Sequence, residues 1–109
     1  MALNATRSWL ICYDIADPRR LARLHRFLKG LAVPVQYSVF LYEGSAAQLG
    51  RLVPDIESRI DAGADDVRIY QMPDAPQCDT LGRGSLPSGT AILSERGAGF
   101  GGLARAGAD

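Results

Sequence analysis

The sequence contains no long apolar run and no targeting signal. None of its apolar stretches approaches the roughly 20 residues that a membrane-spanning helix needs. Residues 1–8 lack a basic segment followed by an apolar stretch, so we expect no signal peptide. These absences predict a soluble, cytoplasmic protein without a membrane partner.

Residues that commonly build metal or nucleophilic sites are also scarce. The chain has one histidine, His25, and two cysteines, Cys12 and Cys78, so neither a disulfide scaffold nor a CxxC or HxxxH zinc site is indicated. No glycine-rich phosphate loop joins a strand to a helix. What remains is a carboxylate together with arginines, a set that suits a hard divalent cation and a phosphodiester.

Glycine and proline are concentrated in the last third of the chain. Eight of the twelve glycines and three of the six prolines follow Met72. We therefore expect a folded core over residues 1–72 and a Gly/Pro-rich C-terminal extension over 73–109, in which residues 90–94 fit an added edge strand. A core of this size buries only about 60% of its unfolded-chain surface, so we expect an oligomer.

The first half of the core predicts a strand, a helix and a second strand. Residues 8–15 form an apolar run typical of a strand covered on both faces. Asp17 and Pro18 suit the N-cap and first position of a helix. Its apolar side comprises Leu21, Leu24, Leu28 and Leu31. Residues 35–42 alternate as a strand, which could also fold back near its middle and add one more strand.

The second half of the core predicts a helix and a final strand. Ser45 and Gln48 have capping-box spacing, and the helix that they open should kink or break at Pro54 and end at Gly63. Residues 66–72 then form a strand. This order favours an α+β, ferredoxin-like β-α-β-β-α-β sandwich with helices on one sheet face. The other face would meet a second subunit, which predicts a homodimer.

Asp14 is the candidate metal-ligating and catalytic residue. It ends the first strand on the face opposite Trp9, Ile11 and Tyr13. Because an unpaired carboxylate is expensive to bury, Asp14 needs a cation, hydrogen-bond donors or the open rim at the strand's end. A two-fold dimer would bring both copies of Asp14 together around a cation. The plain alternative is a strand-end aspartate that accepts backbone N–H bonds.

The first helix carries five cationic residues without an intervening acid. Residues 1–42 contain six Arg or Lys and two Asp or Glu, whereas residues 43–109 contain six and ten. The candidate nucleic-acid-binding residues are Arg19, Arg20, Arg23, Arg26 and Lys29. Because neighbouring like charges repel on a helix, this group indicates a polyanionic partner. A solvated helix face is the alternative.

The ordered motifs resemble the small CRISPR-associated endoribonuclease family, the second of the two core proteins of CRISPR spacer acquisition. They are Tyr13-Asp14-Ile15, Arg19-Arg20-Leu21, residues 35–40 (Val-Gln-Tyr-Ser-Val-Phe) and residues 67–70 (Val-Arg-Ile-Tyr). The resemblance spans residues 9–72. Two features depart from the family pattern: the interruption of the second helix by Gly50 and Pro54, and the long glycine-rich tail.

The resemblance implies a ferredoxin-like homodimer whose sheets face each other, with Asp14 as a Mg²⁺ ligand at the interface. It implies a metal-dependent nuclease that cuts single-stranded RNA or double-stranded DNA. It also implies a dimer that bridges the partner integrase subunits and holds the DNA to be inserted. Two functions stay open: a Mg²⁺-dependent (alternatively Mn²⁺-dependent) phosphodiesterase, and a non-catalytic DNA-binding scaffold. A ligand-binding regulatory module on the same fold has little support in the sequence.

Overall fold

The computed structural model describes residues 4–74 and 77–82 and contains six elements. They are β1 (Arg7–Asp14), α1 (Pro18–Lys29), β2 (Val33–Gln36), β3 (Val39–Gly44), α2 (Ala46–Glu57) and β4 (Asp66–Gln71). All six belong to one compact unit that ends at Met72. The edge strand predicted near residues 90–94 lies outside the described residues.

The four strands form one antiparallel sheet in the order β2-β3-β1-β4. β1 is central, with β3 on one side and β4 on the other. The ferredoxin-like prediction is confirmed, because the two strand–helix–strand units interleave in one sheet.

The core lies between one sheet face and the two helices, as predicted. Its buried members are Ile11, Tyr13, Ile15, Leu24, Leu28, Phe40, Leu52 and Ile56. Burial of each large apolar side chain contributes about 1.5–3 kcal/mol, so this cluster stabilises the packing of both helices against the sheet. Within the described residues, no helix has the length and apolar character needed to cross a membrane.

α1 begins where the sequence predicts. The carboxylate of Asp17 accepts hydrogen bonds from the backbone N–H groups of Arg19 (3.0 Å) and Arg20 (2.9 Å), which satisfies two donors that a helix start leaves unpaired. The helix ends before Gly30. Leu31 therefore lies beyond the helix and is 39% exposed, so its predicted place on the apolar side of the helix is wrong.

The predicted strand over residues 35–42 is a hairpin, the alternative that the sequence left open. β2 and β3 are separated by a turn at Tyr37 and Ser38, and Ser38 adopts a left-handed φ of 65°. This conformation is unfavourable for a residue with a side chain. The backbone N–H of Tyr13 donates to the Ser38 carbonyl at 3.1 Å and holds the turn against β1.

α2 differs from its prediction at Pro54 and at its end. The capping box is confirmed: the backbone N–H of Gln48 donates to the Ser45 hydroxyl (3.1 Å), and the backbone N–H of Ser45 donates to Oε1 of Gln48 (2.8 Å). The helix continues through Pro54 and ends at Glu57, before Gly63. Proline removes the N–H that would bond the carbonyl of Gly50, and exposure of Gly50 leaves that carbonyl accessible to water.

The sheet face away from the helices is called the open face. Because partners in register point to the same side, it includes Leu10, Cys12 and Asp14 of β1, paired with Tyr70, Arg68 and Asp66 of β4. Asp14 is exposed, and Tyr70 is 51% exposed. Cys12 is half-buried on this face instead of lying within the core, and burial raises the pKa of its thiol.

Asp65 joins three separate segments of the chain. Its carboxylate accepts hydrogen bonds from the backbone N–H groups of Ala16 (2.9 Å) and Asp61 (2.8 Å). It also receives two from the Arg20 guanidinium, from Nε at 2.8 Å and Nη2 at 3.0 Å. The Asp65 side chain is fully enclosed. The arginine holds the pKa of this carboxyl well below its usual range, although desolvation opposes the shift.

Trp9 fixes the junction between the sheet and α2. Its indole Nε1 donates to the carbonyl of Gly44 at 3.0 Å, in a buried position. A β-carbon on Gly44 would lie 2.8 Å from Cε2 and 2.9 Å from the hydroxyl of Tyr42, and 3.0 Å from Oε1 of Gln48. A side chain at this position, where β3 meets the capping box, would therefore have to displace the Tyr42 ring and the Gln48 amide.

Alanine substitutions at Gly44 and Gly50 should have opposite effects on stability. Gly44→Ala should lower the free energy of unfolding by about 1–3 kcal/mol, because the new methyl group overlaps its neighbours. Gly50→Ala should raise it by about 0.5–1 kcal/mol, because Gly50 lies inside α2 and a β-carbon there meets nothing within 4 Å. Urea unfolding of both variants measures the difference, and equal changes would contradict the packing account.

The contribution of Asp65 to stability should depend on pH. The folded-state pKa of Asp65 is lowered, so its stabilisation is fully present above the unfolded-state pKa of roughly 4 and is lost as the pH falls toward the folded-state value. Asp65→Asn should therefore lower the thermal midpoint by several degrees at neutral pH, and the difference from wild type should shrink toward about pH 3. Asp55→Asn, on the exposed surface of α2, is the control. A difference that is constant with pH would contradict the prediction.

Candidate functional site

Asp14 occupies the last position of the central strand. Alternation along β1 places Ile11 and Tyr13 in the core and directs Asp14 to the open face, where it is exposed. This position avoids the cost of burying an unpaired carboxylate. It also leaves the oxygens of Asp14 accessible to a ligand.

Asp66 is a second carboxylate beside Asp14 that the sequence analysis did not single out. Asp14 and Asp66 are register partners across β1 and β4. Directly opposite like charges destabilise a strand pair, and a bound cation would relieve this repulsion. Arg68, two residues along β4, partly does so: its Nε donates to Asp66 Oδ2 at 3.0 Å. Of the two carboxylates, Asp66 is therefore the one that pairs with an arginine, and Asp14 is the one more accessible to a cation.

The donors at this edge fit a hard divalent cation only in part. Mg²⁺ takes oxygen ligands and commonly uses one or two protein carboxylates, with water and phosphate for the remainder. Asp14 and Asp66 supply that number. Across residues 4–74 and 77–82, no group of three or more His, Cys, Asp or Glu side chains could hold a metal. The two carboxylates of the described chain therefore match the protein ligands that Mg²⁺ commonly uses, but they do not form a complete metal site by themselves.

The five predicted nucleic-acid-binding residues fall into three groups. Arg19 and Arg23 are exposed on the outer surface of α1. Arg26 and Lys29 are also exposed and line a groove beside the helix. Arg20 differs from the others, because its guanidinium is bonded to Asp65. The sequence could not reveal this pairing, since its partner lies 45 residues away along the chain.

The groove beside α1 brings together residues that the sequence analysis left unassigned. It has a volume of about 440 Å³ and is lined by Tyr13, Pro18, Leu21, Ala22, His25, Arg26, Lys29 and Tyr37. The hydroxyl of Tyr13 and Nδ1 of His25 are hydrogen-bonded at 3.2 Å. The helical spacing of residues 18, 22, 25, 26 and 29 was a signal for a shared face. The contribution of Tyr37 depends on the hairpin turn, which the sequence left open.

Comparisons with curated proteins place these features in a known family. A family model described as CRISPR associated protein Cas2 matches residues 7–78. The CRISPR-associated endoribonuclease Cas2 1 of Nitrosomonas europaea is 48% identical over 86 residues, which cover 79% of this chain and 82% of that relative. The CRISPR-associated endoribonuclease Cas2 2 of Thermodesulfovibrio yellowstonii is 39% identical over 86 residues, covering 78% of this chain and 94% of that relative.

Solved structures agree with the sequence comparisons. The hypothetical protein TT1823 from Thermus thermophilus superposes with a TM-score of 0.67 at 36% identity, covering 77% of this chain and all of that one (100%). A crystal structure of Cas2 superposes with a TM-score of 0.66 at 29% identity, covering 81% of this chain and 100% of its own. The family match includes every strand and both helices. The chain therefore belongs to the CRISPR-associated Cas2 family.

Proposed function

We propose that this protein is a metal-dependent endonuclease of CRISPR spacer acquisition, which hydrolyses phosphodiester bonds in single-stranded RNA or double-stranded DNA. The observation that carries the proposal is the exposed carboxylate of Asp14 at the end of the central strand. The relatives from N. europaea and T. yellowstonii are named endoribonucleases. A relative from T. thermophilus, 38% identical over 85 residues, is named an endonuclease.

A homodimer formed through the open face would complete the site. This face carries Tyr70, which is 51% exposed, beside the half-buried Leu10 and Cys12. A second copy would cover these side chains, and a two-fold axis near Asp14 would place the partner's equivalent carboxylate opposite. The shared site would then contain enough carboxylates for a divalent ion without recruiting a third acidic side chain from one chain.

Asp14 would hold the ion, and the residues of α1 would hold the substrate. A bound Mg²⁺ or Mn²⁺ would supply charge stabilisation at the phosphate and lower the pKa of a bound water. Arg19 and Arg23, both exposed, would contact phosphate oxygens and orient the strand. Arg20 would act indirectly. It forms an ion pair with Asp65, and the same carboxylate accepts a hydrogen bond from the backbone N–H of Ala16, two residues after Asp14.

The second candidate is a non-catalytic scaffold that binds DNA and bridges subunits of the CRISPR integrase. It is favoured by the exposed cations Arg19, Arg23, Arg26 and Lys29 on one helix. The first turn of α1 contains no acidic residue, so its charge is available to phosphates. This function needs no metal and uses the same helix, so one protein can have both functions.

Substitution of Asp14 separates the two candidates. Asp14→Asn should reduce Mg²⁺- or Mn²⁺-dependent cleavage of RNA and duplex DNA by at least roughly 100-fold. Loss of a residue that only hydrogen-bonds to a metal ligand already lowers metal affinity or activity by about 10- to 100-fold, and loss of the ligand itself should cost more. The mass in solution should stay that of the wild-type oligomer. Asp55→Asn should cleave at the wild-type rate.

Full activity of Asp14→Asn would reject Asp14 as the metal ligand. Absence of cleavage by the wild type with every divalent ion, together with intact DNA binding, would reject the nuclease and leave the scaffold.

Loss of a cation from α1 should weaken duplex binding in a salt-dependent way. Arg23→Gln should reduce the slope of log affinity against log salt concentration by about 0.9 if one phosphate contact is lost. Arg51→Gln removes an arginine that is also exposed, on α2, and should leave the slope nearly unchanged. Fluorescence anisotropy of a labelled duplex over a salt series measures both. Equal slopes for the two variants would contradict a specific role for α1.

A further inference from the structure

The groove beside α1 is lined by residues that have no role in the proposed metal site. Its volume of about 440 Å³ lies within the range of roughly 300–1,000 Å³ that is typical of small-molecule sites. Its basic lining residues are His25, Arg26 and Lys29, and none of the described residues that line it is Asp or Glu. This charge favours an anionic ligand.

Tyr37 gives the groove an aromatic wall. It lies in the turn between β2 and β3 and is 82% exposed, more than any other exposed large hydrophobic side chain of the described residues. The turn is not loose, because the backbone N–H of Tyr13 donates to the Ser38 carbonyl at 3.1 Å. An exposed ring on this turn offers a flat surface on which another ring can stack.

The floor of the groove is packed and has a polar edge. The ring of Tyr13 stacks on Phe40 with centroids 6.2 Å apart, and the ring of His25 meets Phe40 edge-on at 5.3 Å. Burial, followed by the neighbouring hydroxyl of Tyr37, raises the pKa of Tyr13, so its hydroxyl stays neutral at physiological pH. That hydroxyl is hydrogen-bonded to Nδ1 of His25 at 3.2 Å.

We infer that this groove binds an unpaired nucleotide of a single-stranded nucleic acid, with its base stacked on Tyr37 and its phosphate held by Arg26 and Lys29. The exposed ring of Tyr37 suits a free base face, and the basic rim attracts a phosphate. A base inside a duplex is already stacked on both faces and cannot enter. The inference deepens the proposed function, on which it rests, by assigning a separate site that holds the base and the phosphate of one nucleotide of the substrate.

The location of the groove also agrees with this role. Tyr13 lines the groove and directly precedes Asp14 in β1. Because successive residues of a strand point to opposite faces, the groove and Asp14 belong to opposite sides of the same strand end. A single strand that passes around this end could contact both, whereas a rigid duplex could not bend so sharply.

The test measures binding without cleavage. Anisotropy of a short fluorescein-labelled oligouridylate, and of a duplex of equal length, is recorded with EDTA present so that divalent-dependent cutting does not interfere. Tyr37→Ala should weaken oligouridylate binding by roughly tenfold, the scale of one lost stacking contact, and leave duplex affinity unchanged. Tyr37→Phe keeps the ring and should bind within roughly twofold of wild type. Because Tyr37 is exposed, these variants should fold normally.

A second pair of variants tests the contribution of positive charge at the rim of the groove. Arg26→Gln should weaken oligouridylate binding and reduce its salt dependence, whereas Arg51→Gln on α2 should not. Unchanged oligouridylate affinity in Tyr37→Ala, or an equal loss for oligouridylate and duplex, would overturn the inference. So would a Tyr37→Ala variant that binds both nucleic acids normally and loses only a protein partner.

The outcome is independent of the metal chemistry. A wild type that never cleaves but binds oligouridylate through Tyr37 would reject the nuclease and support the groove. Asp14-dependent cleavage by a protein whose Tyr37 variants bind normally would support the nuclease and reject the groove.

Discussion

One carboxylate, that of Asp65, fixes the relative positions of three segments of this chain. Asp65 accepts hydrogen bonds from Ala16 after β1, from Asp61 in the segment before β4, and from the Arg20 guanidinium on α1. All of these donors bond to one enclosed, charged acceptor. Breaking the arrangement would therefore leave a buried charge without its hydrogen bonds, which costs free energy. The end of the central strand, the start of the basic helix and the entry to β4 are therefore fixed relative to one another.

That constraint explains why the functional groups are well placed although they lie on different elements. Asp14 and Asp66 meet on the open face because β1 and β4 pair in one register. A shift of one residue would move Asp14 to the core face, where its desolvation would be costly. The ion pair of Arg20 with Asp65 opposes such a shift. Arg20 thus stabilises the fold, whereas its exposed neighbours Arg19 and Arg23 on α1 are accessible to a polyanion.

The sequence predicted features that depend on local pattern. Asp17 and Pro18 marked the start of α1, Ser45 and Gln48 marked the capping box, and alternation in β1 indicated which face Asp14 occupies. It left open what long-range contacts decide. The fold-back between residues 35 and 42 was offered as an alternative, but Ser38 has a left-handed φ without being glycine, so no residue type marked the position of the turn. The end of α2 at Glu57 departs from an apolar pattern that continues to Ile60.

The candidate site divides in the same way. Asp14 and the cations of α1 could be named from charge and strand position alone. Asp66 could not, because its significance arises only from the register with Asp14. Arg20 was grouped with the free cations, since nothing in its neighbourhood along the chain points to Asp65. Tyr37 and His25 could not be linked from the sequence, because they line one groove only when the hairpin turn lies beside α1.

The buried position of Trp9 gives the protein its own optical probe. It is the only tryptophan in the chain, and its indole is bonded to Gly44 at the junction of β3 and α2. Its emission spectrum should shift to longer wavelength when this junction separates and water reaches the ring. Residues of the groove beside α1 include tyrosines but no tryptophan. Intrinsic emission at long excitation wavelength therefore follows the integrity of the sheet without a background signal from the groove's own side chains.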